Sequence, residues 1–118
     1  MTTSSKLNDS APQVENLREM LQFQNKAIVS RMLVKNAGGS VTLFAFDGGE
    51  GLSEHTAPYD ALVLSVEGSA TVMLNGTDFT LNEGDSLFMP ANAPHAIHPQ
   101  GCFKMLLVML KQARPEKA

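Results

Sequence analysis

The amino-acid sequence predicts an all-β protein, an antiparallel barrel or sandwich with one short N-terminal helix. Three observations carry this. Apolar residues recur with a period of two through most of the chain. Turn residues interrupt that period at short intervals, at Gly48, Gly49 and Gly51, Gly68, Asn75 with Gly76, Asn82 to Gly84, and Gln100 with Gly101. Helical spacing occurs in one stretch only. Many short strands, frequent turns and little helix together indicate a closed or double-layered antiparallel sheet.

From the N-terminus, residues 1–13 are rich in Ser, Thr, Asn and Pro and poor in apolar groups, the composition of a flexible leader. "VENLREML" then sets Val14, Leu17, Met20 and Leu21 at helical spacing, which predicts a short amphipathic helix. "KAIVSRMLV" and "SVTLFAF" read as strands joined by "NAGG", whose asparagine and glycines suit the positive φ of a hairpin. "ALVLSVEG", "SATVMLNG", "DFTL", "SLFMP", "HAIHP" and "FKMLLVML" follow as further strands. A chain of 118 residues supports one sizeable core and no second. A single barrel domain is expected over 14–112, with a flexible tail at 113–118.

Several strands are apolar on both faces. In the last one Phe103, Met105, Leu107 and Met109 share a face, yet Leu106, Val108 and Leu110 occupy the other beside only Lys104. Leu62, Leu64 and Val66 likewise alternate with Ala61, Val63 and Ser65, and Phe44 and Phe46 with Leu43 and Ala45. A solitary barrel with a wet exterior would place polar residues outward, so these strands need a second cover. One short helix is too small for that. A homodimer formed by packing sheet faces is expected.

Composition excludes several partners. The net charge of −3, without a run of Lys or Arg, gives no field that gathers nucleic acid or an anionic membrane. The longest apolar run, "MLLVML" at 105–110, is far below the roughly 20 residues that cross a bilayer. The single cysteine, Cys102, cannot form an internal disulfide and is expected as a small buried hydrophobe. "MTTSSKLNDS" lacks the features of a secretory signal, so a cytoplasmic protein is expected.

Two glycine-bounded segments carry the polar residues suited to chemistry: "GEGLSEHTAPYDALVLSVEG", from Gly49 to Gly68, and "GDSLFMPANAPHAIHP", from Gly84 to Pro99. Together they resemble the two conserved motifs of the cupin superfamily, and the resemblance runs from about Ser30 to Leu110. Gly49, His55 and Gly68 fall on the first motif, while Ala57 stands at its second histidine and Ala61 at its glutamate. Gly84, Pro90 and His95 fall on the second, while Asn92 and Pro99 replace its glycine and asparagine. "FAFDGGEGLSEHTAPYDALV", "MPANAPHA" and "FKMLL" are similar to a group of small single-domain bacterial cupins. The resemblance implies a double-stranded β-helix, or jelly-roll barrel, with His55 and His95 converging on its lumen.

Metal-binding cupins use three histidines and a glutamate, of which His55 and His95 alone stand at matching positions. Asp60 is the candidate third ligand for a divalent transition metal such as Fe, Mn, Zn or Ni, provided Pro58 resets the strand phase, because residues 55, 57, 59 and 61 share a face in a regular strand. Glu54 and His98 are each one residue out of phase and are expected in solvent. Alanines at 57 and 61 remove volume and charge from the lumen. That suits a small, largely apolar ligand anchored by His55 and His95, with Met89, Met105 and Phe46 as the expected apolar lining. Two other readings stay open: a metal-dependent oxygenase, isomerase or decarboxylase, and a non-catalytic dimerisation or sensor module with both histidines structural.

Overall fold

The computed structural model describes residues 12–111; residues 1–11, most of the expected leader, and 112–118, with the expected tail, lie outside the described part. Among the described residues nine strands follow a single 3-10 turn: β1 Ile28–Asn36, β2 Gly39–Phe46, β3 Leu52–His55, β4 Tyr59–Glu67, β5 Ala70–Leu74, β6 Thr77–Leu81, β7 Ser86–Met89, β8 His95–Pro99 and β9 Phe103–Lys111. They form a five-stranded sheet ordered β1-β2-β9-β4-β7 and a four-stranded sheet ordered β3-β8-β5-β6, antiparallel at every pairing. Apart from the hairpins β1–β2 and β5–β6, successive strands cross between the two layers, the jelly-roll arrangement expected from the sequence. Among the described residues no helix is long and apolar enough to cross a membrane.

The period of two now has a spatial meaning. Phe46, Val63, Phe103 and Met105 from the five-stranded sheet meet Val72, Leu74 and Ile97 from the other in one buried core, each at most 9 % exposed. Phe44, Phe46 and Phe103 run as a chain of ring contacts along its middle, with centroids 6.1 and 5.7 Å apart. The "NAGG" turn forms as expected and closes β1 on β2. At Gly39 a side chain is impossible: a Cβ would lie 2.0 Å from the Met109 carbonyl of β9. The two-sided apolar character also has its counterpart. Leu43 and Ala45 face outward from the five-stranded sheet yet are fully buried, at the end where Lys104, beside Ala45 in register, meets the Arg18 carbonyl and the Phe23 ring of the segment before β1.

That segment is not the amphipathic helix its spacing predicts. Only Leu17–Glu19 turns, as 3-10, with the Asn16 side chain accepting from the Arg18 N–H at 2.9 Å. The reason is a competing donor. In an α-helix the Arg18 carbonyl would receive an amide from the next turn; here it receives the Lys104 ammonium from β9. Val14 is fully exposed, so a complete helix would gain no apolar burial there, and one so short has little stability of its own. Lys104 is 4 % exposed, pairs with Glu67 at 3.3 Å and sits 4.9 Å from the centre of the Phe23 ring. Arg18 adds ion pairs to Glu67 and Glu83, both at 3.6 Å. The segment is thus latched to the sheet by charge.

Cys102 also departs from expectation. It is exposed in the turn before β9, with its Sγ 3.7 Å from Asp47 Oδ1. The turn Gln100–Cys102 lies outside the sheet, so its parity with the following strand does not carry the side chain inward.

Candidate functional site

Loop 56–58 takes the chain from β3 in one sheet to β4 in the other, and loop 90–94 takes it from β7 to β8. Both loops lie at one end of the barrel, and they are stitched together. The Asn92 amide donates to the Ala57 carbonyl at 2.8 Å, and the Ala91 amide to Asp60 Oδ1 at 2.9 Å. Asn92 takes φ +69°, a left-handed conformation that asparagine tolerates better than most residues with a side chain.

These loops set two histidines side by side. His55, last in β3, pairs directly with His95, first in β8. Their ring centroids are 4.3 Å apart, edge to face at 62°. Each ring is fixed by the carbonyl two residues earlier: His55 Nδ1 lies 2.8 Å from the Ser53 oxygen, and His95 Nδ1 3.1 Å from the Ala93 oxygen. A carbonyl only accepts, so each Nδ1 carries the proton and donates it. In the neutral imidazoles both Nε2 atoms then keep a lone pair. His55 is exposed and His95 half-buried, which puts the pair at the barrel mouth and not deep in its interior.

The other expected site residues separate from the pair. Phe46, Met89 and Met105 belong to the packed core at 0, 2 and 1 % exposure. The phase break at Pro58 does occur, since the strand ends at His55 and a new one starts at Tyr59. It does not bring Asp60 to the histidines. Among the described residues no three His, Cys, Asp or Glu side chains form a group able to hold a metal, and Asp60 instead fixes the loop that leads into His95. Glu54 and His98 are exposed, as their phase predicts. A cleft of about 190 Å³ opens at the same end of the barrel, lined by Met32, Ser40, Tyr59, Met109 and the rim lysines Lys35 and Lys111. The orienting carbonyls of Ser53 and Ala93 left no trace in the sequence, because backbone groups carry no residue identity. Asn92 did leave one: Pro-Ala-Asn-Ala-Pro is a turn whose middle residue is suited to positive φ.

The model of the cupin domain family matches residues 42–109, from the second strand to near the end of the last. The chain belongs to the cupin family. Among solved structures, this cupin is similar to a conserved protein of unknown function from Streptococcus pyogenes, with 30% identity, a TM-score of 0.82, and 91% of this chain and 94% of that one covered. It is also similar to a cupin 2 conserved barrel domain protein from Leptotrichia buccalis, with 39% identity and a TM-score of 0.78 over 82% of this chain. There it spans 47% of the partner in the comparison, about half. A cupin superfamily protein from Desulfitobacterium hafniense gives 28% identity and a TM-score of 0.81, with 87% and 94% covered. No curated protein matches. Against the cupin motif, Asn92 at the glycine position preserves the backbone conformation, whereas Ala57 and Ala61 remove ligating groups outright.

Proposed function

We propose that this cupin binds a small, largely apolar molecule at the barrel mouth, held by the His55 and His95 pair. The carrying observation is the shared tautomer: both Nδ1–H groups are spent on backbone carbonyls, which leaves the two Nε2 atoms as the acceptors of the pair. Such a pair suits a ligand whose polar end donates hydrogen bonds, a hydroxyl or an N–H, while its body lies against apolar wall. The cleft beside Met32, Tyr59 and Met109, at the same end, offers such a wall.

A divalent transition metal is the second reading, and the same tautomer favours it, because ligating histidines commonly donate their other N–H to a carbonyl. Imidazole nitrogen suits Zn, Ni or Fe, but the donor set stops at two where catalytic sites generally use three. The residues present therefore fit an ion only as a two-point attachment, and no reaction is routed through it.

Native mass spectrometry and elemental analysis of protein purified without chelators test both readings against a His55→Ala, His95→Ala double variant. The expected result is a small-molecule adduct on the wild type that the double variant has lost. About one equivalent of metal per chain, lost in the variant, would establish the second reading instead. Identical ligand and metal content in both proteins would leave the histidines structural.

A further inference from the structure

The cleft at the barrel mouth is apolar in its wall and positive at its rim. On the inner face of the five-stranded sheet, Lys35, Ser40, Met109, Ala61 and Met89 follow one another in register across β1, β2, β9, β4 and β7. Lys111 pairs with Tyr59 in the adjoining row on the same face. Met32, Ser40, Tyr59 and Met109 wall the cleft, and both lysines line it with them.

Lys35 faces this cleft because of a bulge. Met32 pairs with Thr42 and Val34 with Val41, so Leu33 is an extra residue in β1. Unbroken alternation from Met32 would turn Val34 inward and Lys35 outward, and the extra residue exchanges them. An ammonium, not a valine, is thereby brought to the lumen side.

No Asp or Glu lines the cleft to neutralise it. The three ion pairs among the described residues all belong to Arg18 and Lys104 at the other end of the sheet, and neither Lys35 nor Lys111 takes part in one. The chain's net charge is −3, so this rim is a local field opposite in sign to the whole. Two ammonium groups beside one small cleft repel each other, and a single anion between them relieves that. The Ser40 and Tyr59 hydroxyls are further donors for such an anion. We infer that the mouth takes a small organic carboxylate, with its charged end at Lys35 and Lys111 and its body against Met32, Met109 and the Tyr59 ring. The inference rests on the reading of the mouth as a ligand site and supplies the ligand's second end, the first being the donor met by His55 and His95.

A cavity of roughly 150 Å³ takes a benzene ring. The cleft, at about 190 Å³, has room for one ring or a short chain beside the carboxylate. A compact, strongly hydrated anion such as inorganic phosphate would leave the apolar wall uncovered, and no arginine lines the cleft to grip it with a fork of donors.

Proton–nitrogen NMR titration with benzoate and with its neutral isostere benzamide tests the charge. Benzoate is expected to shift the amides of Ser40, Tyr59 and Lys111 and to bind about 10-fold tighter than benzamide, the low end for a charge-assisted hydrogen bond because both lysines are exposed. The double variant Lys35→Met, Lys111→Met keeps both aliphatic stems, so it should bring benzoate down to the level of benzamide and leave benzamide unchanged. Added salt should weaken benzoate alone. Equal binding of the two probes, or benzoate binding unaltered in the lysine variant, overturns the inference, while the histidine reading keeps its own test by mass spectrometry. Benzoate displaced by an equal concentration of inorganic phosphate overturns the requirement for an apolar body. Failure of both probes to bind at millimolar concentration overturns the carboxylate, and an adduct lost with His55 and His95 would then support the histidine reading without it.

Discussion

Removing the partner of Lys104 tests how the N-terminal segment is held. The ammonium is almost wholly buried, and Glu67 Oε1 lies 3.3 Å away with its side chain 28 % exposed. At an effective dielectric constant of ~20 the attraction of two unit charges at that separation is about 5 kcal/mol. Most of this is offset by the cost of desolvating both groups. Partial exposure of Glu67 screens it further, and the Arg18 carbonyl and Phe23 ring continue to support the ammonium after Glu67 is gone. Glu67→Ala is therefore expected to lower stability by about 2 kcal/mol, below the 3–5 kcal/mol seen for fully buried pairs.

The informative comparison is with Lys104→Met, which removes the buried charge and keeps the aliphatic stem against Phe23. It should cost less than about 1 kcal/mol, and combined with Glu67→Ala it should recover most of the loss, because the penalty comes from an unpaired charge and not from a missing contact. Urea unfolding followed by circular dichroism, at fixed protein concentration so that association cancels, reads each value. For a chain of this size 2 kcal/mol corresponds to a fall in Tm of about 6–10 °C. If Glu67→Ala stays within about 0.5 kcal/mol of wild type, or if the double variant is less stable than Glu67→Ala alone, the charge latch is refuted.

Three further outcomes follow from the geometry. Gly68 adopts φ +80° and a Cβ there would sit 2.5 Å from the Cys102 carbonyl, so Gly68→Ala should cost at least the ~1–3 kcal/mol of a strained backbone position, read by the urea midpoint. Met105→Ala empties a core position that is 1 % exposed and should cost about 2–5 kcal/mol, whereas Val14→Ala, fully exposed, should change stability by less than about 0.5 kcal/mol in the same assay. Asp60→Asn keeps an oxygen that accepts from the Ala91 amide but removes the carboxylate charge, so nitrogen NMR of the His95 ring should show the same tautomer as wild type, while Asp60→Ala should broaden or shift it.

The fold was legible because strand period and turn chemistry agree along the chain. "NAGG", Asn75–Gly76 and Gly101 mark turns that the structure closes, and of the two-sided apolar strands Leu43 and Ala45 are buried while Leu62, Phe88 and Leu110 stay exposed. Two elements were not legible. The four residues Leu52–His55 form a strand with one half-buried and three exposed members, so they carry no alternation to read. The helical spacing of Val14, Leu17, Met20 and Leu21 was real but subordinate to Lys104, 86 residues beyond Arg18 in sequence, which takes the carbonyl a helix would use. At the site, the approach of His55 to His95 followed from motif positions, while their tautomers rest on carbonyls that any residue supplies. The exclusion of Asp60 depended on where loop 90–94 lands, a long-range fact with no local signature.

The alanines at 57 and 61 connect the site to the packing beneath it. Ala61 lies on β4 between Met89 of β7 and Met109 of β9, and is 7 % exposed. A glutamate in that position would be a buried carboxylate among thioethers and aliphatic groups, costing several kcal/mol unless a cation or a set of donors met it. With alanine the position asks for no counter-charge, and the neighbouring Met89 and Met109 bring flexible side chains suited to irregular volume. The barrel can then complete its core without an ion, and the polar chemistry that remains is confined to the mouth, where His55 still meets solvent. On the proposed reading, alanine at 57 and 61 leaves His55 and His95 as the polar groups above an apolar interior, an arrangement that suits the neutral polar end of a ligand.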